Sequence, residues 1–106
     1  MSKAWHDISP QEVEKRLAEQ KEDMILIDVR NPDEFSAGHI AQAQLLPLSI
    51  LPIRLHEIRN DKQVVFICRS GGRSAQACEY ASNLGYEHVF NMTGGMLNWQ
   101  GEIAHK

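Results

Sequence analysis

The sequence predicts an α/β fold in which helices flank a central parallel sheet. Apolar runs alternate along the chain with segments of helical spacing, and no repeat, low-complexity tract or linker interrupts them. The run 24–29 is apolar almost throughout, as in strands that are buried on both faces. The chain has 106 residues, enough for one core and too few for two. We therefore expect a single domain over residues 1–106, with right-handed crossovers that place helices on both faces of the sheet.

The first half of the chain carries two helix starts. Residues 9–12, Ser-Pro-Gln-Glu, form a capping box with Pro at the first helical position, which predicts a helix of about three turns. After the strand at 24–29, Asn31 caps a second helix that has Glu34 at its third position. Gly38 supplies a stop, so this second helix should be short.

The segment after Gly38 carries weaker signals. A brief strand is predicted at 45–46, and Pro47 ends it. A helix is predicted next from apolar residues at helical spacing, which are Leu51, Leu55 and Ile58. Ser49 is the expected cap of this helix, and Pro52 is tolerated because the first turn has no internal hydrogen bond to lose.

The second half of the chain alternates more clearly. The clearest interior strand is predicted over 63–67, and a helix with small residues on its inner face over 74–84. A last strand is predicted over 88–90. The glycine pair 94–95 then introduces a closing helix that holds Trp99, whose large indole we expect in the core.

Composition and charge exclude several classes of function. Eleven Lys and Arg against fourteen Asp and Glu give a net charge of −3, so the chain lacks the basic field of a nucleic-acid binder. The N-terminus shows no apolar run of the signal-peptide type, and no stretch is long enough to span a bilayer. We therefore expect a cytoplasmic protein with neither a nucleic-acid nor a membrane partner.

The cysteines and histidines do not indicate disulfides or metals. Two cysteines are too few for a disulfide-stapled scaffold, and a reducing compartment keeps them as thiols. The histidines lack the short repeated spacings of metal sites; they are His6, His39, His56, His88 and His105. We expect neither a metal nor a cofactor.

The chemistry is expected in the loop Cys68-Arg69-Ser70-Gly71-Gly72-Arg73, which joins the 63–67 strand to the next helix. Ligands of open parallel sheets gather where strands end at their carboxyl side and helices begin. The two glycines let successive backbone N–H groups point inward at an anion. The residues expected to bind this anion are Arg69, Ser70, Gly71, Gly72 and Arg73.

Cys68 is the expected nucleophile of this loop. A free thiol has a pKa of about 8.5, so only a few per cent is thiolate near neutrality. The helix N-terminus, the inward amides and the guanidinium groups of Arg69 and Arg73 all favour the charged form. The alternatives are a buried apolar cysteine and solvated surface arginines. Cys78, inside the following helix, fits packing better than a resolving thiol.

Three motifs resemble the rhodanese family, and together they span nearly the whole chain. They are Asp28-Val29-Arg30 with Glu34-Phe35 and Gly38-His39-Ile40, then the loop 68–73 with Ser74 after it, then Gly94-Gly95 leading to Trp99. Their order and spacing make the resemblance highly specific.

The resemblance implies a three-layer rhodanese-like fold whose central parallel sheet has five strands. It also implies a sulfurtransferase of the thiosulfate type, in which Cys68 carries sulfane sulfur as a persulfide. The thiolate attacks the outer sulfur of a small anionic donor such as thiosulfate, and sulfite departs. Cyanide or a thiol, including a protein thiol, then accepts the sulfur. Covalent catalysis of this kind divides one hard exchange into two easier ones.

Residues of the first motif have structural alternatives. Asp28 and Arg30 should lie near the loop, where their pair either sets the electrostatics of the loop or is purely structural. Glu34 is better explained by helix capping, and His39 by local hydrogen bonds than by proton transfer.

Two other functions compete with sulfur transfer. A cysteine phosphatase or arsenate reductase of related fold also places a cysteine, an amide cradle and an arginine after a strand. Loops of those enzymes resemble a pattern with five residues between the cysteine and the arginine, whereas four lie between Cys68 and Arg73. A phosphatase also needs a general acid for its leaving group, and the sequence shows no candidate. A non-catalytic rhodanese-like binding module is the other alternative, although this chain retains Cys68.

Overall fold

A sheet of five parallel strands forms the centre of the part of the chain that the computed structural model describes, residues 4–19 and 23–105. The strands are β1 (His6–Ile8), β2 (Met24–Asp28), β3 (Ala43–Leu45), β4 (Gln63–Ile67) and β5 (Val89–Met92). Their spatial order is β1-β5-β4-β2-β3, so β4 lies in the middle with β2 and β5 beside it. The predicted parallel α/β fold and its five strands are confirmed.

Four α-helices and three short 3-10 turns accompany these strands within the described ranges. The α-helices are α1 (Pro10–Ala18), α2 (Pro32–Ala37), α3 (Leu51–Arg54) and α4 (Gly72–Asn83). The 3-10 turns cover Leu48–Ile50, Leu55–Glu57 and Gly95–Asn98. None of the helices formed by these residues has both the length and the apolar character needed to cross a membrane.

Two apolar clusters cover the two faces of the sheet. Side chains alternate along a strand, so neighbouring residues of β4 point to opposite faces. Phe66 belongs to the cluster that contains Ala77 of α4, and Val65 belongs to the cluster that contains Val13 of α1. All four residues are fully buried. The fold therefore has three layers, with helices on both sides of the sheet.

The predicted caps of the first two helices are present, although the capping box predicted at 9–12 forms only in part, because the Glu12 carboxylate pairs with Arg16. Ser9 Oγ accepts the backbone N–H of Glu12 at 3.0 Å, while the Glu12 carboxylate lies 2.9 Å from Nε of Arg16. At α2, the backbone N–H of Asn31 donates to Glu34 Oε1 at 3.0 Å. Capping residues thus fix the start of both helices, as the sequence indicates.

The helix predicted after the Ser49 cap is not one continuous α-helix. The segment 48–57 consists of a 3-10 turn, the single α-helical turn α3 and a second 3-10 turn. Ser49 lies inside the first 3-10 turn, and Ile50 takes the cap position of α3 without a side-chain hydrogen bond. Pro52 has no N–H, so it cannot donate the bond that would continue a helix from Leu48. The residues predicted to face inward are nevertheless buried, namely Leu51, Leu55 and Ile58.

The last predicted helix is also different. It is the 3-10 turn Gly95–Asn98, and Trp99 follows it in an extended conformation. The Trp99 indole is half-buried against the cluster that contains Val13, and its Nε1–H donates to Glu102 O at 3.1 Å. The core position expected for Trp99 is therefore only partly correct.

Candidate active site

The sulfur of Cys68 lies inside a cradle of hydrogen-bond donors. Cys68 directly follows β4 and is only 1% exposed. The backbone N–H of Gly71 donates to Sγ at 3.0 Å, and the backbone N–H of Ser74 donates at 3.3 Å. The Ser74 hydroxyl oxygen also lies 3.3 Å from Sγ. A sulfur with partial or full negative charge is the atom that such donors stabilise.

The cradle favours the thiolate of Cys68. Burial raises the pKa of this thiol, because removing a charged group from water is unfavourable. The Ser74 hydroxyl and the backbone N–H groups of Ser74, Gly71 and Ser70 lower the pKa, and their combined effect is the larger one. Local hydrogen bonding therefore holds the pKa of Cys68 below its ordinary value.

The two glycines of the loop have different roles. Gly71 has φ +109°, in the left-handed region that disfavours other residues, and it precedes the first residue of α4. This conformation turns the chain into α4 directly after the amide that donates to the sulfur. Gly72 begins α4, and a Cβ at this position would meet nothing within 4 Å. The structure thus requires glycine at Gly71 and not at Gly72.

A second glycine turn, at Gly95, packs against the backbone of the loop. Gly95 has φ +61°, and a Cβ added there would lie 2.4 Å from the carbonyl oxygen of Cys68 and 2.5 Å from that of Arg69. Directly after it, the Met96 N–H donates to Cys68 O at 2.9 Å and the Leu97 N–H donates to Arg69 O at 3.0 Å. The glycine motif noted in the sequence therefore positions the backbone of Cys68 and Arg69.

The two arginines of the loop have different surroundings. Arg73 donates from Nη1 and Nη2 to the two carboxylate oxygens of Glu34, at 2.8 and 2.9 Å. The Arg73 guanidinium outweighs the effect of burial and lowers the pKa of Glu34 to about 2. Capping was therefore only part of the role of Glu34. Arg69 is exposed, and no residue within 4–19 or 23–105 pairs with its guanidinium.

Asp28 and Arg30 form a buried ion pair at the end of β2. Arg30 donates from Nε and Nη2 to the Asp28 carboxylate at 2.8 to 3.1 Å, and Nη2 also donates to the carbonyl oxygen of Gly38 at 2.8 Å. This pair links the end of β2 to the end of α2, which fits the interpretation of Asp28 and Arg30 as a structural ion pair. Hydrogen bonding to Glu34 is the main reason that the pKa of Arg73 is raised, and Asp28 adds a smaller electrostatic contribution, so the pair is also linked to the loop.

His39 and Cys78 have structural surroundings. The His39 ring stacks on Phe35 with centroids 3.7 Å apart, and its Nδ1 lies 2.7 Å from Phe35 O. These are the local contacts expected for a histidine that is not in proton transfer. Cys78 lies fully buried on the inner face of α4, in the same apolar cluster as Ala81.

Two polar residues of the site were not predicted from the sequence. Ser74 was noted only as the residue that follows the loop, yet its backbone and hydroxyl both contact the sulfur. Asn91 lies on β5 opposite Phe66, and its Oδ1 is 2.5 Å from Ser74 Oγ. A hydroxyl in the first turn of the helix was a usable signal for Ser74. Asn91 gave no such signal, because its place depends on the pairing of β4 and β5.

Comparison with known proteins identifies the family of this chain. The model of the rhodanese-like domain matches residues 9–102. The chain belongs to the rhodanese-like domain family. A protein of Allochromatium vinosum named sulfurtransferase is 44% identical over 94 residues, which are 89% of this rhodanese-like chain and 87% of that protein. A protein of Pseudoalteromonas translucida named thiosulfate sulfurtransferase GlpE is 30% identical, over 81% of this chain and 82% of its own.

The solved structures agree with this assignment. The crystal structure of a rhodanese-like domain protein from Staphylococcus aureus has a TM-score of 0.87 with this rhodanese-like domain. The two sequences are 29% identical, and the match covers 95% of this chain and 98% of that chain.

Proposed function

We propose that this rhodanese-like domain transfers sulfane sulfur through a persulfide on Cys68, from a small anionic donor such as thiosulfate to cyanide or a thiol. The observation that carries the proposal is the set of donors around Sγ from Gly71 and Ser74. Relatives named sulfurtransferase and thiosulfate sulfurtransferase support the same chemistry.

The first half of the reaction loads the sulfur. The Cys68 thiolate attacks the outer sulfur of thiosulfate, a new S–S bond forms, and the old S–S bond breaks with its electron pair leaving on sulfite. The negative charge then lies on the outer sulfur of the persulfide. Because Cys68 is only 1% exposed, the group that reaches Sγ must be slim, as the terminal sulfur of thiosulfate is.

The second half of the reaction unloads the sulfur. A cyanide ion or a thiolate attacks the outer sulfur, and the bond to Sγ breaks with its electron pair returning to Cys68. The products are thiocyanate or a new persulfide, which for a protein thiol means that sulfur passes to a partner protein. A low pKa makes Cys68 a better leaving group in this step.

The surroundings of Arg73 favour sulfur transfer over phosphoryl transfer. A phosphatase loop needs its arginine for the oxyanion, whereas Arg73 donates two hydrogen bonds to Glu34. Arg69 is the arginine without such a partner among the described residues, and it lies at the exposed side of the loop. A single charge of this kind suits recruitment of a small anion.

The proposal is tested by the intact mass of the protein after incubation with thiosulfate. We expect the gain of one sulfur atom on Cys68, and its loss when cyanide is added. A parallel incubation with an aryl phosphate tests the competing enzyme. Phosphate release without sulfur loading would support a phosphatase, and the absence of both reactions would support a binding module.

Replacing Arg69 with Ala is expected to raise the KM for thiosulfate by about tenfold, because a charge contact to the donor is lost. The value of kcat should change little, since Arg69 does not contact Sγ. Arg59→Ala removes an exposed arginine outside the loop and should leave the KM unchanged. An unaltered KM in Arg69→Ala would reject the binding role of this residue.

A further inference from the structure

Ser74 carries a hydroxyl proton for which two acceptors compete. Its Oγ lies 3.3 Å from Cys68 Sγ and 2.5 Å from Asn91 Oδ1. A hydroxyl has one proton and donates one hydrogen bond at a time. Ser74 is fully buried and Asn91 is 7% exposed, so bulk water has little access to replace either partner.

The orientation of the Asn91 side-chain amide follows from its other contact. Its Nδ2 donates to the carbonyl oxygen of Gly71 at 3.3 Å. Turning the amide over would place Oδ1 against the Gly71 oxygen, and two acceptors would then face each other without a proton. Gly71 therefore holds Asn91 Oδ1 toward the Ser74 hydroxyl.

The hydrogen-bond pattern must change when Cys68 ionises. In the thiol form, S–H donates to Ser74 Oγ and the Ser74 hydroxyl donates to Asn91 Oδ1, so each group in the chain is satisfied. In the thiolate form, Ser74 must turn its proton to Sγ, and Asn91 Oδ1 loses its donor. A buried acceptor that loses its donor is unfavourable, so this contact opposes ionisation.

We propose that Asn91 is a positioning residue that restrains the ionisation of Cys68 by holding the Ser74 hydroxyl. The backbone N–H groups of Gly71 and Ser74 favour the thiolate, and Asn91 keeps that preference limited. A thiolate of very low pKa is a weaker nucleophile, so the restraint preserves the reactivity of the sulfur. This catalytic consequence rests on the proposed function, whereas the effect on ionisation does not.

The same hydroxyl gives Asn91 a role in the loaded state. In a persulfide the inner sulfur is neutral and the charge lies on the outer sulfur. Sγ then no longer demands the Ser74 proton, and the hydroxyl can return to Asn91. Asn91 therefore disfavours the free thiolate relative to both the thiol and the loaded form.

The charged residues near the sulfur are the same in the unchanged protein and in the Asn91 variants. Arg69 belongs to the loop, and Arg73 lies on α4, where hydrogen bonding to Glu34 and, to a smaller extent, the Cys68 charge raise its pKa. The ion pair of Asp28 and Arg30 lies at the end of β2, next to β4. The partner of Arg73, which is Glu34, belongs to α2. Replacing Asn91 also removes its hydrogen bond to the Gly71 carbonyl oxygen, so a comparison with and without the Ser74 hydroxyl is needed to isolate the hydroxyl contact.

The test is the pH dependence of Cys68 alkylation by iodoacetamide, located by peptide mass. In Asn91→Leu, which removes the acceptor at similar volume, the pKa of Cys68 should fall by about half a unit to one unit. In Asn91→Asp, which keeps the acceptor and adds a negative charge, it should rise. Ser74→Ala should raise the pKa by about one unit through loss of the donor. Thermal unfolding shows whether each variant is folded.

The double variant decides the mechanism. In Ser74→Ala the hydroxyl is absent, so adding Asn91→Leu should shift the pKa of Cys68 no further. An equal shift with and without Ser74 would overturn the proposal, as would an unchanged or raised pKa in folded Asn91→Leu. The alkylation needs no sulfur donor, so the expected shifts in a protein that forms no persulfide would leave this inference standing and reject the proposed function.

Discussion

Cys68→Ser is expected to lower kcat/KM for sulfur transfer by at least about a thousandfold, because the covalent carrier of the sulfur is lost. A serine oxygen fits the same space and accepts the same hydrogen bonds from Gly71 and Ser74, so the loop should keep its shape. It does not form a persulfide, and its hydroxyl stays protonated near neutrality. The measurement is thiocyanate formation from thiosulfate and cyanide.

Cys78→Ala is the matched control for this result. Cys78 is the other thiol of the chain, and it lies fully buried in α4. Its replacement should cost about 1 kcal/mol of stability through lost packing, and sulfur transfer should persist. If thiocyanate formation survives in Cys68→Ser and disappears in folded Cys78→Ala, the sulfur carrier is Cys78 and the proposal for Cys68 is wrong.

Arg30→Met is expected to lower the free energy of unfolding by about 3 to 5 kcal/mol. Asp28 is fully buried, and its carboxylate receives hydrogen bonds from the Arg30 side chain. Without Arg30 this carboxylate remains in the interior without a cation, and the carbonyl oxygen of Gly38 also loses a donor. Urea unfolding of the variant and the unchanged protein measures the difference.

Two further variants separate this effect from a general cost of losing an arginine. Arg54→Met breaks the pair with Glu57, whose side chains are 49% and 47% exposed, and should change stability little. Adding Asp28→Asn to Arg30→Met removes the uncompensated charge and should restore part of the loss. If Arg30→Met unfolds at the same urea concentration as the unchanged protein, the pair does not anchor β2 to α2.

The parts of the fold that local patterns determine could be predicted. The strand over 63–67 coincides with β4, because its apolar run is buried on both faces whatever its neighbours are. The three-residue strand β1 was not predicted, since its extended form depends on pairing with β5. The predicted helix after Pro47 is α-helical for only one turn, Leu51–Arg54, which holds Pro52 near its start as expected and is flanked by 3-10 turns that the spacing of apolar residues does not distinguish from an α-helix.

The site divides in the same way. Cys68 at the end of a strand, followed by glycines, could be recognised because these residues are consecutive. The pairing of Arg73 with Glu34 joins residues 39 positions apart, and the contact of Ser74 with Asn91 spans 17 positions. Such contacts come from the order of the strands rather than from the spacing of residues. The sequence therefore predicts the candidate nucleophile, and the three-dimensional fold is needed to find the side chains that contact it.

The contact of Gly95 with the backbone of Cys68 and Arg69 has a consequence for protein engineering. Transplanting residues 68–73 alone into another parallel sheet would bring the sulfur but not the backbone N–H groups of Met96 and Leu97. These groups hold the carbonyl oxygens of Cys68 and Arg69 in place. The smallest portable module extends from β4 through the 3-10 turn Gly95–Asn98. A host scaffold must accept that whole stretch to hold the Cys68 sulfur and its backbone contacts in the same geometry.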